Sequence, residues 1–143
     1  MRIIAPNRND RLVDERGAPG LRFAAVLEDL AENVNNLTAL PINTQDSNYT
    51  FVLEDAGQII RKTSNTTLQT YTIPDNDSVT FEIGTQIEIQ NDGSVSLTIA
   101  ITTDTLTFSA DGTTGSRTLA AAGEVRLVKV ATTEWKIRGE GLT

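Results

Sequence analysis

The chain contains neither cysteine nor histidine. Without cysteine there are no disulfide staples, and thiols say nothing about redox compartment. Without histidine, the commonest general base and the commonest metal ligand are both missing. Together these absences exclude Ser–His–Asp and Cys–His catalytic arrangements and the usual zinc ligand sets. Aromatic residues make up only 5% and hydrophobic residues 38% of the 143 positions. The expected core is therefore thin, built mainly from Val, Ile and Leu, and weak for a self-sufficient globule of this length. No apolar run approaches the roughly 18 residues of a membrane-spanning helix. The opening MRIIAPNRND lacks the apolar stretch of a signal peptide, so a chain made in a cytoplasm, or assembled there into something larger, is expected. Positive charge is also scarce. The net charge is -7, and the body beyond residue 40 carries 7 basic residues against 13 acids. Nucleic acid, whose partners present a basic stripe, is not an expected ligand.

One long helical pattern is present, from Leu21 to Leu40. Phe23, Leu27, Leu30, Val34 and Leu37 recur at steps of 4, 3, 4 and 3, which is a heptad seam of about two repeats. Glu28, Asp29 and Glu32 fall off the seam, and Pro41 ends the pattern. An isolated helix of this length is marginal in water. The seam must therefore bury itself, either on a sheet of its own chain or against copies of itself in a short coiled-coil-like bundle.

Residues 1–19 carry four Arg, two Pro and one Gly, with apolar islands at Ile3–Ile4 and Leu12–Val13 and no helix or strand period. Such a composition buries little and reads as a disordered arm in the free protein. Alternatively it is a docking arm ordered against a partner, with Ile3, Ile4, Leu12 and Val13 as apolar anchors and Arg2, Arg8 and Arg11 as charged contacts.

From Ile42 onward the vocabulary changes. Residues 42–143 hold 20 Thr among many Val and Ile, a strand-favouring mixture. Alternation marks Tyr49–Leu53, Val79–Ile83, Gln86–Gln90, Val95–Ile99 and Val125–Val130, with Trp135–Ile137 as the last strand. Turn signals stand at Ala56-Gly57, Pro74–Asp77, Asn91-Asp92-Gly93, Asp111-Gly112, Ala122-Gly123 and Thr133-Glu134. Eight to ten short strands at this spacing predict a mainly β fold, an antiparallel β-sandwich or barrel. Ile87, Ile89, Val95, Leu97, Ile99, Leu127 and Trp135 are its expected core. The Thr, Ser, Gln and Asn of the second face read as solvated, or as faces along which subunits pack.

No motif for chemistry survives. Asp75 and Asp77 alternate after Pro74, but a calcium loop needs more oxygen ligands, a Gly and a closing Glu. Asp111-Gly112-Thr113-Thr114-Gly115-Ser116 lacks the Lys of a phosphate loop and precedes strands. The sequons at Asn48 and Asn65 carry no weight in a chain without a secretory signal.

Two segments carry a resemblance. Pro6, Arg11-Leu12-Val13-Asp14, Gly17 and Pro19, followed by Phe23 and Leu27, resemble the opening of many tailed-bacteriophage fibre and appendage proteins. Further along stand Leu53–Gly57, Tyr71–Pro74, Phe81–Ile87, Asn91-Asp92-Gly93, Glu134-Trp135 and Gly139. In order and spacing they are similar to a small β module of virion fibre and capsid-decoration proteins. The resemblance implies a non-enzymatic virion component, usually a homotrimer; from the residues themselves no cofactor or metal is expected. Residues 1–19 would attach it to another capsid or tail protein, residues 20–41 would oligomerise, and residues 42–143 would form the displayed β-domain. A soluble carbohydrate- or receptor-binding β module is the alternative.

Overall fold

The computed structural model describes residues 25–30 and 39–143. Arg2, Ile3, Ile4, Arg8, Arg11, Leu12 and Val13 of the arm lie outside the described residues, as do Phe23, Val34 and Leu37 of the seam. Contacts divide the chain into two parts between Ala39 and Leu40. In the first, residues 25–30 form helix α1.

The second part is mainly β. Its strands are β1 (Ile42–Thr44), β2 (Tyr49–Thr50), β3 (Ile59–Lys62), β4 (Gln69–Ile73), β5 (Gln86–Asn91), β6 (Leu97–Ile101), β7 (Thr105–Phe108), β8 (Arg117–Ala131) and β9 (Glu134–Leu142). They join in one curled, open sheet shaped like half a barrel, with the path β1-β3-β5-β8-β6-β4-β2 and with β7 reached through β9.

The expected antiparallel sandwich or barrel is corrected by this topology. β1, β3 and β5 form one parallel ladder, and β2, β4 and β6 form a second. From β1 to β6, strands consecutive in sequence do not pair. Each pass of the chain gives one strand to the first ladder, turns a corner, and gives the next strand to the second. Only β8 is antiparallel to both. Its Glu124–Val128 half pairs with β5, and its Arg117–Leu119 end pairs with β6. Between these halves the register shifts, and Ala122 stands at φ 57, a left-handed conformation inside a bulge. Ala122-Gly123, expected as a turn, is thus the bend that carries one long strand from ladder to ladder. A two-residue turn then leads to β9, which runs antiparallel to β8 and parallel to β7.

Alternation along each strand builds the interior. Ile60, Ile89 and Val125 stack across one ladder, and Gln69, Leu97, Leu119 and Leu142 across the other. Tyr49, Phe51 and Tyr71 pack edge to face with centroids 6.0–6.2 Å apart, and Phe81 meets Trp135 at 5.4 Å. Of the expected core, Ile87, Ile89, Leu97, Ile99, Leu127 and Trp135 are buried. Val95 is only half-buried, because it lies in the corner between β5 and β6. The expected strand Val79–Ile83 is irregular: Phe81 enters the core from the long excursion between β4 and β5.

Polar side chains fasten the corners. Asp46 accepts from the Thr63 amide (2.7 Å) and hydroxyl (2.6 Å) and the Ser64 amide (2.7 Å) of the next pass. Asn65 accepts from the Ser94 amide, and Asn48 from that of Thr70. Inside the last corner, buried Asn91 donates to the carbonyls of Val95, Leu119 and Ala120 and accepts from the Gly93 amide. Buried Lys62 donates to the Ser64 and Val95 carbonyls.

Candidate interaction surfaces

Helix α1 reads Ala25-Val26-Leu27-Glu28-Asp29-Leu30. Ala, Leu and Glu are favourable helix residues. Leu27 and Leu30 stand three apart and Val26 and Leu30 four apart, so the three share a face. Val26 is 40% exposed, Leu27 46% and Leu30 39%. Two of the five expected seam positions are therefore helical and unburied in the single chain. Val26 was not assigned to the seam; its spacing of four from Leu30 is the signal that marks it.

Exposed apolar residues of the β part include Leu53, Leu68 and Ile83 as well as two where the chain enters. Leu40 and Ile42 are exposed, and β1 and β2 are the end strands of their ladders. The opposite end of each ladder is closed by β8. Leu40, Gly57, Gln58, Gly84, Gln86 and Arg126 line a shallow groove of about 430 Å³. A smaller one, about 250 Å³, lies among Glu88, Glu124, Arg126, Arg138 and Gly139. One ion pair lies in it. Arg126 Nη2 stands 3.5 Å from Glu88 Oε2, and the Gln90 side-chain Nε2 donates to Glu88 Oε1 (3.0 Å) and Glu124 Oε2 (3.5 Å).

The carboxylates of the corners and turns also serve structure. Hydrogen bonds from Thr63 hold the Asp46 carboxyl below its ordinary value, those from Ser78 do the same for Asp75, and those from Thr113 for Asp111. Burial pushes the Tyr71 phenol well above its ordinary range, with the Asp46 charge adding to the effect. The Tyr49 phenol is raised first by burial and then by its bond to Asp55. Buried Asp55 accepts from Asn43 Nδ2 (3.0 Å), the Tyr49 hydroxyl (2.9 Å) and the Val52 amide (2.9 Å), and so pins the turn after β2. Sequence reasoning missed this cluster, whose members lie up to 12 residues apart in no recognised motif. Among the described residues no three acidic side chains gather closely enough to hold a metal ion. What these surfaces offer chemically is apolar contact and ion pairing.

No family model matches the chain, and no curated protein or solved structure is significantly similar to it.

Proposed function

We propose that the chain is a non-enzymatic structural component of a tailed-bacteriophage virion, a short tail-fibre, adaptor, head-fibre or decoration protein that works as a homotrimer. Residues 1–19 dock it onto another capsid or tail protein, the seam around α1 joins the copies, and the β part is displayed. The observation that carries the assembly reading is the unburied face of Val26, Leu27 and Leu30. An apolar face of this kind on a helix finds its burial in an oligomer. The virion reading rests on the resemblance of the arm and of the β motifs. The carbohydrate-binding alternative loses ground because Phe51, Tyr71, Phe81 and Trp135 are all buried, leaving little aromatic surface to stack on a sugar.

Light scattering on the purified chain tests the assembly. A mass of three chains is expected, falling towards one for Leu30→Asp while the β signal in circular dichroism persists. Full burial of a large apolar side chain is worth roughly 1.5–3 kcal/mol, and a carboxylate placed in that seam adds a desolvation cost. A monomeric mass that persists at high concentration refutes the trimer. Deletion of residues 1–19 is expected to leave the oligomer intact and abolish its incorporation into particles.

A further inference from the structure

Two lysines of the β part are buried, and they differ in what their nitrogens touch. Lys62, 0% exposed, points at two backbone carbonyls of its own corner. Attack there would require breaking the main chain. Lys129, 1% exposed, points at a side-chain carboxamide: its Nζ stands 2.6 Å from Oδ1 of Asn76. Among the described residues no ion pair reaches it; its other neighbour is the face of Trp135, 5.5 Å away. At an ordinary acceptor angle, this contact puts the nitrogen about 3.4 Å from the carboxamide carbon, on its oxygen side, so a turn of the carboxamide must bring the face of the carbon to the amine before attack.

The partners are also held. Lys129 lies inside β8 directly opposite Trp135, and the indole is packed against Phe81. Asn76 sits in a turn fixed at both ends. The Ser78 amide donates to the Asp75 carboxylate at 2.7 Å, and the Thr80 hydroxyl donates to the Asn76 carbonyl at 3.1 Å. Asn76 is half-buried, so a small leaving group has a route to water.

We infer that Lys129 and Asn76 are the two halves of an intramolecular isopeptide crosslink. In its unprotonated form, the Lys129 amine adds through its lone pair to the Asn76 carboxamide carbon. The new carbon–nitrogen bond stays, the bond from that carbon to Nδ2 breaks, and the nitrogen leaves as ammonia with a proton from the attacking amine. Nothing is oxidised or reduced, and no co-reactant is consumed. The product is a side-chain amide joining β8 to the excursion between β4 and β5 across 53 residues of sequence. A chain without cysteine would thereby carry a covalent staple.

Intact-mass measurement of the full-length purified chain tests this, freshly purified and after prolonged incubation. The expected result is a deficit of one ammonia, deepening with incubation, with a branched proteolytic peptide joining Lys129 to Asn76. Both signatures should vanish in Lys129→Arg and in Asn76→Ala. If either variant fails to fold, the wild-type mass and peptide map decide alone. A wild-type mass that stays unchanged overturns the inference, as does an ammonia loss mapped to another asparagine or recovery of both residues only in unbranched peptides.

Discussion

Replacing Asn91 by Ala probes the joint on which both ladders depend. Its carboxamide is buried where the corner between β5 and β6 meets the bend of β8. It donates to the carbonyls of Val95 (3.0 Å), Leu119 (3.3 Å) and Ala120 (2.9 Å), and its oxygen accepts from the Gly93 amide at 3.2 Å. In Asn91→Ala, the Val95 carbonyl keeps Lys62 as a donor at 3.2 Å. The Ala120 carbonyl belongs to an exposed residue and can turn to water. The Leu119 carbonyl and the Gly93 amide lose their side-chain partner in buried surroundings. A buried polar group left unpaired costs about 1–3 kcal/mol, and a more accessible bond about 0.5–1.5. The expected loss is thus about 3–7 kcal/mol, a large share of the 5–15 kcal/mol typical of a domain. Urea unfolding followed by circular dichroism measures it as a lower midpoint at unchanged slope. A cooperative variant less than about 1 kcal/mol below the wild type refutes the idea that this amide holds the corner to β8.

Two further substitutions separate backbone collision from backbone conformation. A Cβ at Gly139 would overlap the Glu124 carbonyl oxygen and stand 2.6 Å from Val125 Cα, whereas one at Gly57 meets nothing within 4 Å. Gly139→Ala should therefore cost several kcal/mol or prevent folding, while Gly57→Ala, strained only by its φ of +76, should cost about 1 kcal/mol in the same assay. Acid sensitivity follows from the corners. A carboxyl held below its ordinary value of 3.8 stabilises the fold above that pH, and the contribution is lost as pH falls through the lower folded value. Asp46→Asn should leave a shallower loss of stability below about pH 4 in equilibrium acid unfolding. An identical acid limb in the variant would deny Asp46 that role.

The mainly β character, the positions of β5, β6 and the later parts of β8 and β9, and most of the inner face were legible because period-two alternation is a local property, whereas β1, β3, β4 and β7 carried no such mark. Ladder direction was not. Thr, Val and Ile favour strands of either kind, and Asn91-Asp92-Gly93 looks the same whether it reverses the chain or bends it round a corner. What decides is pairing at a distance: Ile42 lies beside Ile59, and Ile59 beside Glu88. Such partners are set by the stacking of whole passes and not by neighbours in sequence. Ala122-Gly123 misled for a related reason. A small residue before a glycine suits a turn, yet here the same freedom bends β8 without ending it. Of the exposed face of α1, heptad spacing marked Leu27 and Leu30, while Val26 was passed over because a two-position seam is narrower than the apolar stripe of most helices. Lys129 and Asn76 were invisible together, since nothing in either neighbourhood anticipates a contact across 53 residues.

The uneven ends of the β part explain why β8 matters more than its place late in the chain suggests. Without it, the two parallel ladders would be connected only through their corners, and β5 and β6 would each present a bare edge. An unpaired edge invites association with any extended chain. β8 covers both edges at once, and its bulge lets a single strand follow the change of direction between them. At the other end the edges are β1 and β2, three and two residues long. Short edges of this kind limit the hydrogen bonds open to a stray partner, while Leu40 and Ile42 leave apolar surface beside them. Damage at the β8 bend should therefore loosen both ladders together, whereas damage in β1 should stay local, because β3 remains paired to β5 on its far side.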